Sequence, residues 1–341
     1  MVKELKGKRV ALVGGAGFIG HNLALYLKKR GADVCVIDGL SVNNLLYLHH
    51  TADEVPGDRD LYISIVNERL KLLRKAGVPV FIEDARNYHI LSATITKANP
   101  QVLVHLAAVS HANRSNKNPY DTFDNSLRTL ENSLDAVRNN IEQFVFFSSS
   151  MVYGNFPPEG ATEETPCSPL GIYGHLKLAG EQMVKAYHNV FKLPYTIVRP
   201  SALYGERCVS RRVGQIFIEN AVKGQDITVT GNGTDKLDFT YIEDLCQGIR
   251  RVIENKNAIN QTFNLTYGEG RTIGEMARLI QKHFKGIKIN YEPKDSLTPD
   301  RGTLVIDKAR KMIGYKPEYS LEKGYQEYIR WYKTFYKANF L

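Results

Sequence analysis

The sequence predicts an α/β fold: a doubly wound parallel sheet of the Rossmann-like kind, followed by a smaller mixed α/β lobe. Three observations carry this. Short apolar runs alternate with helical patterns over the first 200 residues. A glycine loop stands between the first run and the first helix. The regular alternation is lost after about residue 200.

The elements follow in order. "RVALVG" (9–14) is apolar on both faces, as strands covered on both sides are, and "FIGHNLALYLKKRG" reads as a helix closed by Gly31. "ADVCVIDG" is a second strand. "VPVFIED" (78–84), "QVLVHLAA" (101–108), "QFVFFSSS" (143–150) and "PYTIVRP" (194–200) repeat the theme. Helical patterns over 18–30, about 58–76, 120–140 and 173–192 separate them. Beyond residue 200, "DITVTGNG", "KLDFTYIEDLCQGI" and "QTFNLTYGEGRTIGEMARLIQKHF" are short elements without that rhythm. The expected division is a dinucleotide-binding domain over 1–200, with a later segment near 235–265 interleaved, and a mainly substrate-binding lobe over 201–341.

A chain of 341 residues can hold two lobes, and 43% hydrophobic with 24% charged content is that of a soluble globular protein. No apolar stretch approaches a membrane-spanning length, so no membrane partner and a cytoplasmic location are expected. Cys35, Cys167, Cys208 and Cys246 are scattered without metal-like or disulfide-framework spacing, which predicts reduced thiols and no metal site. The net charge of +9 is spread along the chain without a basic block among aromatics, which weighs against a nucleic-acid partner. Such charge can still steer a phosphorylated small molecule.

In "VALVGGAGFIGHNLA", Gly14 suits a tight turn, Gly17 a close approach by a pyrophosphate, and Gly20 tight packing of helix on strand. The amides of Phe18, Ile19 and Gly20 open the helix and offer donors and a positive dipole end. Asp38 ends the next strand, 18 residues after Gly20. A carboxylate there accepts from ribose hydroxyls and repels a 2′-phosphate, so NAD is the expected cofactor. Between Asp38 and Val78, "ISIVNERLKLLRKAG" predicts an extra helix over the cofactor side, within an insertion (41–77) of no assigned role.

"GIYGHLKLAGE" holds Tyr173 and Lys177 four apart, on one face of a helix. An ammonium beside a phenol favours the phenolate, giving a base able to take a hydroxyl proton while hydride leaves the same carbon. The same spacing also suits an ordinary amphipathic face. The triple serine of "FFSSSMVYGN" asks for either a capping or a chemical role.

The succession "GGAGFIG", "HLAA", "SSSMVYG", "YGHLK", "RPSALYG" and "LDFTYIEDL" resembles, over nearly the full length, an extended short-chain dehydrogenase/reductase of the nucleotide-sugar epimerase/dehydratase family. The resemblance implies Ser149 as the catalytic hydroxyl beside Tyr173 and Lys177, with Ser148 and Ser150 supporting the strand end or the substrate. It implies Asp84 and Ala85 at the adenine, and Leu106, Ala107 and Ala108 along the cofactor. Asn125 fits the position supporting the Lys177 site, and packing explains it equally well.

Departures narrow the chemistry. Relatives that expel water from the sugar carry Asp-Glu where this chain has Ser150 and Met151, and a thioether transfers no proton. The expectation is NAD-dependent epimerisation of a nucleotide-diphosphate sugar, at C4 through a transient 4-keto intermediate. Net 4-oxidation or 4,6-dehydration is the alternative within the family, and an NAD-binding scaffold the alternative outside enzymes. The family's Asn and Arg for the substrate's diphosphate are replaced by Ala202 and Leu237. Arg207, Arg211 and Arg212 of "GERCVSRR", with Arg301 of "PDRGTL", are the candidate replacements, since guanidinium forks suit phosphates. A solvated basic loop explains Arg211 and Arg212 as readily. The resemblance also implies a homodimer built on helix 120–140 and the helix of Tyr173.

Overall fold

A computed structural model describes residues 5–42, 44–50, 57–109, 112–293 and 300–340. Residues 43 and 51–56 of the predicted insertion lie outside them. The strands are β1 (Arg9–Val13), β2 (Asp33–Ile37), β3 (Val80–Phe81), β4 (Val102–His105), β5 (Gln143–Phe147), β6 (Tyr195–Arg199) and β7 (Leu203–Tyr204). They continue with β8 (Ile227–Thr230), β9 (Lys236–Asp238), β10 (Thr240–Tyr241), β11 (Gln261–Asn264), β12 (Gly270–Thr272) and β13 (Ile289–Glu292). The helices are α1 (Phe18–Lys29), α2 (Leu45–His50), α3 (Arg59–Lys75), α4 (Tyr88–Ala98), α5 (Ala112–Lys117), α6 (Pro119–Phe123) and α7 (Thr129–Val137). After them come α8 (Ile172–Phe191), α9 (Val213–Val222), α10 (Ile242–Glu254), α11 (Ile273–His283), α12 (Asp307–Ile313) and α13 (Leu321–Phe340).

Seven strands form one parallel sheet in the order β11-β6-β5-β4-β1-β2-β3. The winding reverses between β1 and β4, which opens a crevice beyond their carboxyl ends; a doubly wound sheet binds its ligand there. Each central strand feeds both faces. Leu12, Val145 and Phe147 join a core with Leu23, Leu27, Ile65 and Leu73. Val13, Phe144 and Phe146 join a second core with Leu91, Leu130, Leu134 and Val184. That two-sided burial is why these strands read as unbroken apolar runs.

Two expectations change in detail. The strand predicted over 78–84 contracts to Val80–Phe81 at the sheet edge, where Pro79 brings no amide proton. The helix predicted over 120–140 divides into α6, a π-helical turn at Asp124–Arg128, and α7. The interleaved segment returns to the large sheet as β11, which pairs with β6. Past residue 200 the remaining strands make two-stranded pairs, β10 with β7, β12 with β9 and β13 with β8. The buried Tyr325, Tyr328 and Tyr332 of α13 pack into the large core there.

Candidate active site

β1 gives out at Gly14, whose φ of +78° is left-handed. A Cβ on it would stand 2.6 Å from the Ala107 amide nitrogen, so a side chain is excluded where the turn faces the end of β4. At Gly20 the neighbour a Cβ would strike is Gly15, 2.4 Å away; the close approach is helix to loop rather than helix to strand. Gly17 is the N-cap of α1 and offers no side-chain cap, leaving the first amides to a ligand.

The result is a cleft of about 980 Å³ of empty space, its open mouth included. Gly14, Gly17, Phe18, Ile19 and Gly20 line one side with Asp38. Asp84, Ala85, Leu106, Ala107, Ala108 and Asn125 line the rest of the predicted surface. Asp38 accepts from the amides of Ala16 (2.9 Å) and Leu40 (2.8 Å). Burial pushes its carboxyl up, against those donors and the nearby charge of Arg69. Asp84 is held low by the Arg86 guanidinium that grips both of its oxygens. A glycine cradle, uncapped helix amides and a carboxylate at the end of β2 fit a dinucleotide such as NAD.

At the carboxyl end of β5, Ser149 caps a short 3₁₀ turn (Ser150–Val152), its Oγ accepting from the Met151 amide at 3.2 Å. Its hydroxyl also acts on the Tyr173 phenol, holding it down against the effect of burial. The serine therefore caps the turn and at the same time stands beside the phenol. Ser148 donates to Glu181, which pairs with Arg199 at 2.6 Å in a fully enclosed ion pair behind the site. Ser150 is buried in the turn, its amide bound to the Pro200 carbonyl, and lines neither cleft described in this section.

α8 brings Tyr173 and Lys177 to this turn because it carries glycines at its contacts. A Cβ at Gly174 would lie 2.7 Å from the Met151 carbonyl oxygen, and one at Gly180 2.7 Å from the Phe146 ring. Lys177 is buried and donates to the Phe147 carbonyl at 2.7 Å, with its ammonium 6.0 Å from the Tyr173 ring centre. Burial lowers it to about 8. Burial raises Tyr173, and the influences that oppose this are the Arg212 charge and the Ser149 hydroxyl. Lys177 directs its ammonium at a carbonyl, and the Arg212 charge opposes the rise that burial gives Tyr173. Asn125, expected beside Lys177, instead donates to the carbonyl (2.9 Å) and carboxylate (2.8 Å) of Asp121, one turn back.

The four candidate arginines separate. Arg212 lines both the cofactor cleft and a second cleft bounded by Leu203, Gly214, Leu237, Phe239 and Arg301. Arg301 places Nη1 3.9 Å from the Met151 sulfur, while its buried Nε has no partner among the described residues. Burial and the Arg212 charge bring Arg301 down to about 10. Asp238 positions this strand of chain by accepting from the Leu304 amide at 3.0 Å. Arg211 lines the second cleft but is engaged by the Tyr62 hydroxyl at 3.1 Å and lies 3.9 Å from Glu219. Arg207 is a correction: it donates to His21 Nε2 and Asn22 Oδ1, both at 3.0 Å, and lines neither cleft. Arg207 itself has a left-handed φ of 64°.

Among the cleft residues that the sequence reading did not name are Ser210 and Arg69. Ser210 has no motif that marks it. Arg69 did carry a signal: it interrupts the apolar face of α3 between Ile65 and Leu73, where an arginine needs a reason.

The profile of the NAD dependent epimerase/dehydratase family matches residues 10–266. A "putative UDP-glucose 4-epimerase" of Methanocaldococcus jannaschii is 30% identical, covering 95% of this chain and 98% of that protein. A UDP-glucuronate 4-epimerase of Thermodesulfobacterium geofontis is 27% identical over 94% of this chain and 95% of its own. Among solved structures, the UDP-glucuronic acid 4-epimerase of Bacillus cereus, in complex with UDP-glucuronic acid and NAD, superposes with a TM-score of 0.83. It is 25% identical, with 96% of this chain and 99% of that chain covered.

Proposed function

The chain belongs to the NAD dependent epimerase/dehydratase family, and from that premise we propose that it inverts C4 of a nucleotide-diphosphate hexose through a transient 4-keto sugar. The observation that carries this reading is the Tyr173 phenol held between the Ser149 hydroxyl and the charge of Arg212, which lines the cofactor cleft, with a thioether and not a carboxylate at residue 151. Proton transfer at one carbon is provided for, and a carboxylate to drive elimination is not.

A bound NAD would supply the hydride acceptor and donor. The chain supplies the rest. Gly14 through Gly20 and Asp38 hold the dinucleotide. Ser149 orients the sugar hydroxyl, and Tyr173 takes its proton and later restores it. Burial holds the phenol protonated at neutral pH, so the phenolate depends on nearby positive charge. Arg212 provides it, with the Lys177 ammonium at 6.0 Å. Arg212 and Arg301 serve the anionic groups of the substrate, as the second cleft they share would require. The exposed Tyr120 and Phe123 of α6 and Val190 and Phe191 of α8 favour pairing of two chains through these helices.

The test is incubation with UDP-, GDP-, CDP- and dTDP-sugars, with products identified by NMR. A C4-inverted sugar is expected from the wild type and none from Tyr173→Phe, which still binds NAD. Turnover by that variant removes the base assignment. A lasting keto product or released NADH points instead to oxidation or dehydration.

A further inference from the structure

We propose that Arg69 is a further ligand of the cofactor, donating from Nη1 to the diphosphate of the dinucleotide. Arg69 sits on α3, within the insertion between β2 and β3, and is 0% exposed. Its Nε donates to the Arg207 carbonyl at 2.9 Å, and Nη2 donates to the same oxygen. Nη1 is buried and has no partner among the described residues. An N–H of a charged group left unpaired in a protein interior is costly, so its persistence asks for a ligand. Arg69 lines the cofactor cleft together with Phe18, Ile19 and Asp38.

The choice of the diphosphate follows from charge. The uncapped amides at the start of α1 and the Arg69 guanidinium both select an anion, and they face one cleft. The anionic part of the dinucleotide is its diphosphate. Asp38, whose carboxylate acts on Arg69 within the same cleft, repels phosphate and suits the ribose hydroxyls instead. Burial and the neighbouring Arg207 lower Arg69 only to about 10, which leaves it charged at neutral pH.

The same guanidinium therefore joins two parts of the site. Its other two donors fix the Arg207 carbonyl, at the start of the loop that delivers Arg212 to both clefts. Through Arg69 the insertion carries a cation to the cofactor and anchors the substrate-side loop on it.

The inference rests on a dinucleotide cofactor and not on epimerisation, so its test measures binding. Affinities of the full chain, stripped of nucleotide, are measured by calorimetry for NAD, ADP-ribose and adenosine. Arg69→Met weakens NAD and ADP-ribose by about 10- to 100-fold and leaves adenosine unchanged. Arg69→Lys, which keeps the charge without the fork, recovers part of the loss for the two phosphorylated ligands only. An equal loss for adenosine, or unchanged affinity for NAD, overturns the proposal. If Arg69→Met does not fold, Arg69→Lys decides alone: a loss for ADP-ribose relative to adenosine supports it, and equal effects on both refute it.

Discussion

Gly174→Ala tests whether the approach of α8 to the serine turn sets the chemistry. The added Cβ would stand 2.7 Å from the Met151 carbonyl oxygen and 2.8 Å from the Pro169 Cβ, where ordinary contact begins at 3.4 Å. The carbonyl belongs to the turn that Ser149 caps, and Tyr173 is the residue next to the substitution. Neither backbone can yield without moving one of the two hydroxyls against the other. A displacement of about 0.7 Å is required, and misplacement on the 1 Å scale costs on the order of 10²-fold in rate. That corresponds to about 2.7 kcal/mol in the barrier. The assay compares kcat on the substrate found in the NMR panel with NAD affinity and the melting temperature. The expected pattern is a large fall in kcat with NAD affinity unchanged. Gly180→Ala is the companion: its Cβ meets the Phe146 ring tip at 2.7 Å and a Leu130 methyl at 3.0 Å, side-chain ends able to turn aside. Its loss should appear in stability before rate. Wild-type kcat in Gly174→Ala would show that the helix–turn contact does not align the hydroxyls.

Arg212→Met removes the cation that lowers the Tyr173 phenol, so the activity profile should shift toward alkaline pH; an unmoved pH–kcat curve denies Arg212 that influence. His105 is fully buried and depressed to about 3 by burial and the Lys177 charge, against an ordinary 6.5. The unfolded chain therefore binds the extra proton between pH 6.5 and 3, and the stability present above 6.5 is lost on acidification, up to a few kcal/mol. Replacing His105 by Gln should flatten urea-measured stability across that range, and an unchanged slope would place the acid sensitivity elsewhere. Arg207→Ala should lower the melting temperature by breaking the His21 and Asn22 contacts while leaving KM for the nucleotide sugar unchanged; a raised KM would return it to the substrate's phosphates.

Much of the site was legible because its parts are local. Gly14, Gly17, Gly20 and Asp38 work through one strand–turn–helix unit and the end of the next strand, and their spacing is their geometry. Tyr173 and Lys177 share a helix face wherever that helix lies. The π turn at Asp124–Arg128 was not legible, because it adds a residue to a helical period without a glycine or proline to mark it.

Alternation of apolar runs with helices, and the order of motifs along the chain, determined the sheet, its crevice and the family from the sequence alone, because each depends on neighbours a few residues apart. What only the tertiary structure decided is the partner of each charge. Arg207 and Arg212 lie five residues apart in one loop, yet the first bonds α1 and the second enters both clefts. Lys177 reaches a carbonyl rather than the phenol, and Arg69 reaches the cofactor crevice from an insertion. Charge acts through space and dielectric, and residues distant in the chain set both.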